Sequence, residues 1–367
     1  MHYLINNPVA KAVLRCIDAC LLRAKKHTPT STPKRVLICN IAHLGDVVIA
    51  TSVLPVLRQA FPHAQLGFLA GSWSKLILEK HPLVDFVHCV DHWKLNRSHS
   101  ALWKKFWIYV QTRSTALKEI RALKYDCAVD LYVYFPNCSA LLWQAAIPVR
   151  LGYTSGGFGP LYTHRLEWQP SQDHLSIYHL KLIQQLPTGV FYAQNLRPTL
   201  APICADAQTK TPKTPFVIFH LGPPSSRKAW PTSKWRALTH QYADAGHKIV
   251  FTGHGADEYA HIEQVKEGVV QSINLCNQLS WEELVACIGA AKQLVTIDSV
   301  PMHIADALGT PVVVLFCGIN EPTLLRPQHT SCRLLMQNVA CAPCHQKQGC
   351  STMACIREIA VSDVGIE

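Results

Sequence analysis

The chain has 367 residues, 49% of them hydrophobic and 16% charged, with a net charge of +11. That length suggests two or three domains, and that composition excludes a disordered chain. The cationic excess favours an anionic partner: nucleic acid, a membrane surface or a phosphorylated substrate. Fifteen cysteines, an odd number and mostly single in apolar runs such as those of Cys39, Cys89, Cys127 and Cys317, favour a reducing cytosol over a disulfide framework.

Residues 1–34 open the chain with "PVAKAVLRCIDACLLRAKK", which predicts an amphipathic basic helix. Val9, Val13, Ile17 and Cys20 recur at helical spacing, with Lys11, Arg15 and Lys25 elsewhere around it. Such a helix can lie on an anionic membrane or pack on the body of the protein. Charges interrupt its apolar runs well short of the ~20 residues needed to span a bilayer, and no signal peptide is legible. From residue 35 to 186, strand and helix patterns alternate. "RVLIC" precedes a helix expected from about Gly45 to Ala60, and "QLGFLA", "DFVHCV" and "DCAVDLYV" read as further strands. A Trp- and Lys-rich helical stretch covers about 100–123, a helix follows near "CSALLWQAA", and 152–170 is expected as a loop. Short apolar runs with helices between them predict a parallel sheet. The proline-rich segment 187–214 is the expected linker. Alternation then restarts in 215–367 with "PFVIFHLG", "TSKWRALTHQYADAG", "HKIVFTG", "WEELVACIGAA", "QLVTID", "PMHIADALG" and "PVVVLFCG". The fold class expected is therefore α/β, with two doubly wound, Rossmann-like domains and a ligand crevice at their strand ends.

Three strand-end loops of the second half carry chemistry. "HLGPPSSRKAWPTSKW" places Ser225, Ser226, Arg227 and Lys228 between a strand and a helix, a good anion site or a basic surface turn. "FTGHGADEY" puts Asp257 and Glu258 at a helix start, where an acid caps the helix or accepts from ribose hydroxyls. "VTIDSVPMHIADALG" ends a strand at Asp298 and Ser299, followed by Pro301, Met302 and His303. In the first half, Asp46 of "AHLGDVV" is a lone acid at a helix mouth, where it would repel phosphate; it caps the helix or acts on a substrate.

Together, "LICNIAHLGDVVIATSVLPVLRQAFP", "HLGPPSSRKAWPTSKW", "TGHGADE" and "DSVPMHIADALGTPVVVLF" resemble the heptosyltransferase family, the ADP-heptose:lipopolysaccharide glycosyltransferases, from about Arg35 to Val364. The resemblance implies a GT-B fold of two facing domains, with acceptor in the first, nucleotide sugar in the second, and inversion at the anomeric carbon without a metal. It implies Asp46 as catalytic base and Lys228 as the principal phosphate ligand, helped by Ser225, Ser226 and Arg227. Asp257 would meet the ribose, and Asp298, Ser299 and His303 would line the sugar and phosphate side. No Asp-x-Asp pair is present, so fixed cations would neutralise the leaving diphosphate. The chain departs from the family at Val300, where a glycine is usual.

"CAPCHQKQGCSTMACIREI" gathers Cys341, Cys344, Cys350 and Cys355, a candidate structural zinc site or a family structural feature without metal. "HWKLNRSHSALWKKFWIYVQTRSTALKEIRALK" interleaves Trp93, Trp103 and Trp107 with cations, which suits nucleic acid, a phosphorylated acylated sugar at a membrane, or a snorkelling helix face. The combined expectation is a cytoplasmic enzyme, peripheral to the inner membrane, that moves heptose from ADP-heptose to a lipopolysaccharide core acceptor and needs no catalytic cofactor. A transferase of another nucleotide sugar such as a hexosamine donor, a nucleotide-sugar epimerase and a catalytically silent binding module are the alternatives.

Overall fold

The structure, a computed structural model, describes residues 3–4, 7–21, 32–169, 173–187, 189–208, 210–346 and 350–366. Lys25 and the rest of the basic run at 22–31 lie outside the described residues. The chain divides into two compact units, Met1–Pro202 and Ile203–Glu367.

In the first unit the strands are β1 (Arg35–Cys39), β2 (Gln65–Ala70), β3 (Phe86–Cys89), β4 (Cys127–Asp130), β5 (Val149–Tyr153) and β6 (His164–Leu166). They form a parallel sheet in the order β3-β2-β1-β4-β5-β6. The helices are α1 (Pro8–Cys20), α2 (Leu44–Ala50), α3 (Val53–Ala60), α4 (Lys75–Leu78), α5 (Leu102–Leu123), α6 (Ser139–Gln144) and α7 (Leu175–Ile183). Strands such as β1 and β5 are almost wholly buried, as parallel strands covered on both faces must be.

Two local features differ from the sequence expectation. The helix expected over Gly45–Ala60 is two helices, broken at Thr51–Ser52. Pro55 has no N–H to give the Thr51 carbonyl, and the Thr51 hydroxyl bonds back to the Val48 carbonyl at 2.7 Å; both loosen a helix. The segment 152–170 holds the end of β5 and the edge strand β6 as well as loop, because pairing of Leu151–Tyr153 with His164–Leu166 supplies hydrogen bonds that no local pattern announces. Residues of the proline-rich segment pack on the first unit: Phe191 meets Phe61 edge-on at 5.8 Å, and Thr199 N donates to Thr51 Oγ1 at 2.9 Å. Helix α1 packs on the body, where Asp18, the lone acid of the N-terminal segment, accepts from Tyr3 at 2.8 Å and from the Phe158 N–H at 2.7 Å.

The second unit repeats the plan. Its strands are β7 (Phe216–His220), β8 (Lys248–Phe251), β9 (Ser272–Asn274), β10 (Gln293–Ile297), β11 (Val312–Leu315) and β12 (Cys332–Leu335), in the parallel order β12-β11-β10-β7-β8-β9. Helices α8 (Thr232–Asp244), α9 (Ala256–Val265), α10 (Trp281–Ala290), α11 (Val300–Leu308), α12 (Pro322–Leu325), α13 (Ala354–Arg357) and α14 (Val361–Val364) complete it. The core centres on Phe219, Trp230, Trp235, Tyr242 and Phe251, with Trp230 set edge-on to Trp235 at 5.1 Å. In each sheet the unit's first strand lies between its second and its fourth, the doubly wound order 3-2-1-4-5-6. The strand order therefore reverses between β1 and β4, and again between β7 and β10. Ligands of such sheets bind outside the carboxyl ends of the strands at that reversal. Among the described residues, no helix is long and apolar enough to cross a membrane.

Candidate functional site

Asp46, Lys228 and Asp298 lie at the two reversals. In the first unit, β1 leads through Asn40 and Ile41 into α2, whose third residue is Asp46. The His43 N–H donates to Asp46 Oδ2 at 3.2 Å, so the carboxylate closes the first turn of the helix, and Asn40 Nδ2 holds the Asp46 carbonyl at 3.1 Å. Across the reversal, β4 runs into Tyr132 and Tyr134, whose rings meet at 5.6 Å. Burial pushes the Tyr132 phenol up, and the charge of Asp46 adds to it. Asp46 thus caps α2 and also faces the phenol-lined end of β4. Asp130, the last residue of β4, is buried beside this edge; it accepts from Tyr162 Oη at 2.7 Å and from the Tyr132 N–H at 3.1 Å. Burial pushes its carboxyl up to about 7.

In the second unit, β7 ends at His220 and runs on through Leu221 and Gly222. Gly222 has φ +68°, and a Cβ there would stand 2.5 Å from Ile297 Cδ1, so only glycine turns the chain here. The following loop is tied down by Trp230, fully buried, whose Nε1 donates to the Ile359 carbonyl at 3.1 Å. Two residues earlier, Lys228 reaches across the reversal to the end of β10. Its Nζ donates to Asp298 Oδ2 at 2.5 Å and to the Asp298 carbonyl at 3.0 Å. Asn320, beyond β11, donates to the same carboxylate oxygen at 3.4 Å. His303 is buried in α11, where desolvation pushes it down to about 4 against the pull of Asp298 and Asp306, so it is neutral at pH 7. Ser226 Oγ accepts from the Lys228 N–H at 3.1 Å and shapes the turn.

The other expected residues are placed more loosely. Ser225 and Arg227 are exposed on the same turn. Ser299 makes no side-chain cap to α11; its hydroxyl lies 3.1 Å from Thr296 Oγ1 and 3.2 Å from the Ile297 carbonyl. Asp257 is exposed in the first turn of α9, while Glu258 turns back to accept from the His254 N–H at 3.1 Å. Val300 begins α11 with no positive φ, so the conformational freedom of glycine is not needed there and only the bulk of the side chain distinguishes it. Asn320, Tyr132 and Tyr134 were not singled out from sequence; all three lie in loops within five residues of the C-terminal end of a strand. Of the cysteine group, Cys355 is buried in the core, Cys344 is half-buried, and Cys341 and Cys350 are exposed. Among the described residues, no three His, Cys, Asp or Glu side chains come together as a metal-holding group.

An ammonium held at a sheet reversal by one carboxylate and one carbonyl is a fixed cation that an entering diphosphate can recruit. The family model of glycosyltransferase family 9 (heptosyltransferase) matches residues 113–354, a span that includes Lys228, Asp257, Asp298 and His303 and leaves Asp46 outside. Lipopolysaccharide heptosyltransferase 3 of Escherichia coli (strain K12) is 24% identical over 301 residues, which cover 77% of this chain and 82% of the relative. The solved structure of E. coli ADP-heptose lps heptosyltransferase II is similar with a TM-score of 0.66 at 21% identity, over 83% of this chain and 91% of that one. E. coli heptosyltransferase WaaC with ADP-2-deoxy-2-fluoro heptose gives 0.65 at 21% identity, over 86% of this chain and 98% of that one. These neighbours share the two-unit parallel α/β fold of the GT-B class. With more than half of its residues matched by the family model, and with the Lys228–Asp298 pair inside that match, the chain belongs to glycosyltransferase family 9 (heptosyltransferase) and is a glycosyltransferase.

Proposed function

We propose that this glycosyltransferase inverts the anomeric centre without a metal, moving heptose from ADP-heptose to a phosphorylated lipopolysaccharide core acceptor at the inner face of the cytoplasmic membrane. The observation that carries the reading is the Lys228–Asp298 pair at the β7/β10 reversal. The diphosphate draws Lys228 toward itself, with Ser225, Ser226 and Arg227 on the same turn and the N-terminus of α11 beside it. Asp257 or its neighbour Glu258 takes the ribose hydroxyls. The acceptor oxygen attacks the anomeric carbon from the face opposite the nucleotide. As the new C–O bond forms, the bond to the diphosphate breaks, the acceptor proton passes to the Asp46 carboxylate, and ADP leaves with the bonding electrons. A carboxylate anchored through the His43 N–H keeps one orientation for that task.

The test combines the purified protein with ADP-heptose and heptose-truncated lipopolysaccharide, in the presence of EDTA. Transfer with inverted configuration is expected, read by mass and by NMR of the new linkage. Asp46→Asn retains an acceptor for the His43 N–H and should lower kcat by roughly 10²–10⁴ while leaving ADP affinity unchanged. Retained configuration, loss of turnover in EDTA, preference for a hexosamine donor, or wild-type turnover in Asp46→Asn would each overturn the reading.

A further inference from the structure

Helix α5 presents an aromatic face that nothing in the described unit covers. Leu102, Trp103, Phe106, Trp107 and Val110 follow i, i+1, i+4, i+5 and i+8 and so share one side of the helix. All five are between 42% and 75% exposed. The buried contacts of α5 come from its second half, through Ala116 and Ile120. Along the same outward side, the second half carries Ser114, Lys118 and Arg121 in place of aromatics, all exposed. The outward face therefore changes along the axis, apolar for its first turns and basic for its last. The helix holds five cations, Lys104, Lys105, Arg113, Lys118 and Arg121, against one acid, Glu119. Lys94, in the preceding loop, stands over the Trp93 and Phe135 rings at 5.1 and 5.5 Å.

We propose that the first half of α5 is a membrane-docking surface that seats Leu102, Trp103, Phe106, Trp107 and Val110 among the headgroups of an anionic lipid leaflet. Tryptophan is favoured at that depth because its ring is apolar and its N–H stays wet. The cations along the helix meet lipid phosphates, each contributing on the order of a tenfold attraction to partition at most. A second copy of the chain fits less well, since a two-fold contact would set one basic helix against another. Nucleic acid fits less well too, since Leu102 and Val110 offer no ring for a base to stack on.

The inference rests on the exposed face and not on the transferase reading. Its test uses vesicles without acceptor, so failed docking and failed transfer are separate results. The full chain should co-sediment with phosphatidylglycerol/phosphatidylcholine vesicles and remain in the supernatant with phosphatidylcholine alone. The triple variant Trp103→Ser, Phe106→Ser, Trp107→Ser should lose about tenfold or more in partition, with an unchanged melting curve because the three side chains are exposed. Lys104→Glu, which alters no apolar group, should lose about tenfold on the anionic vesicles. Brominated lipid should quench wild-type tryptophan fluorescence. The proposal is overturned if the wild type stays in the supernatant, or if both variants sediment as the wild type does. It is equally overturned by a lipid-free dimer that the triple variant dissolves, or by Trp103-dependent binding of a single-stranded oligonucleotide without vesicle binding.

Discussion

Asp46 and Asp130 are two carboxylates at one sheet edge in opposite surroundings. Asp46 is partly exposed and held by a main-chain N–H, whereas Asp130 is buried with the Tyr162 hydroxyl and the Tyr132 N–H on its oxygens. Burial outweighs those two bonds and raises Asp130 from 3.8 to about 7. The folded chain therefore binds this proton more tightly than the unfolded chain does. Its contribution to stability is full below pH 3.8 and is lost as pH rises through about 7. Relative to Asp130→Asn, the wild type should lose a few kcal/mol between those values, measured by urea unfolding. A pH-independent difference between the two proteins would mean that the carboxyl titrates as it does in water. Sequence alone marked Asp46, because it stands at a helix mouth; Asp130 sits inside the apolar run "CAVDLYV", and nothing local says whether its oxygens find partners.

At the scale of elements, the turn from Gly222 to Pro231 shows how a packed core positions a polar group. Lys228 is held in place by the backbone between Gly222, which alone tolerates the turn, and Trp230, which is plugged into the core against Trp235. Trp230→Ala should cost about 3–5 kcal/mol in chemical unfolding. It should also weaken ADP binding although it touches no ligand, since the loop would lose its anchor. Wild-type ADP affinity in a destabilised but folded variant would argue that Lys228 is positioned otherwise. The motif "KAWP" was legible as a loop between strand and helix, but the burial of its tryptophan was not. Amphipathic spacing assigns a face to a residue inside a helix and says nothing of one outside it. The break at Thr51 is different: the apolar period runs through it, but Pro55, which cannot donate to the Thr51 carbonyl, marks it in the sequence.

At the scale of the molecule, each half of the chain has its own complete sheet and its own core. A nucleotide bound at the β7/β10 reversal should therefore stabilise the second unit selectively. Hydrogen exchange with saturating ADP should show added protection at residues 222–230 and 298–303, and little within 32–202. At a hundredfold excess over Kd the expected stabilisation is about 2.7 kcal/mol, and Lys228→Ala should abolish most of it at the same ADP concentration. Protection confined to the first unit would reverse the assignment of donor and acceptor halves.

The sequence by itself determined the class of fold, through short apolar runs alternating with helical periods, and it determined the strand-end loops, because glycine, proline and capping residues act over a few neighbours. It also determined the Lys228 and Asp298 positions, the first in a strand-to-helix loop and the second directly after a strand. The tertiary structure decided which strands are neighbours and hence where the strand order reverses. That placement brings Lys228 and Asp298, seventy residues apart, to 2.5 Å and puts Tyr132 within the field of Asp46. It decided as well that, among the described residues, the aromatic half of α5 stays uncovered. Such outcomes depend on contacts between distant segments, whose free energy is a property of the assembled sheet and core and of no local stretch of chain.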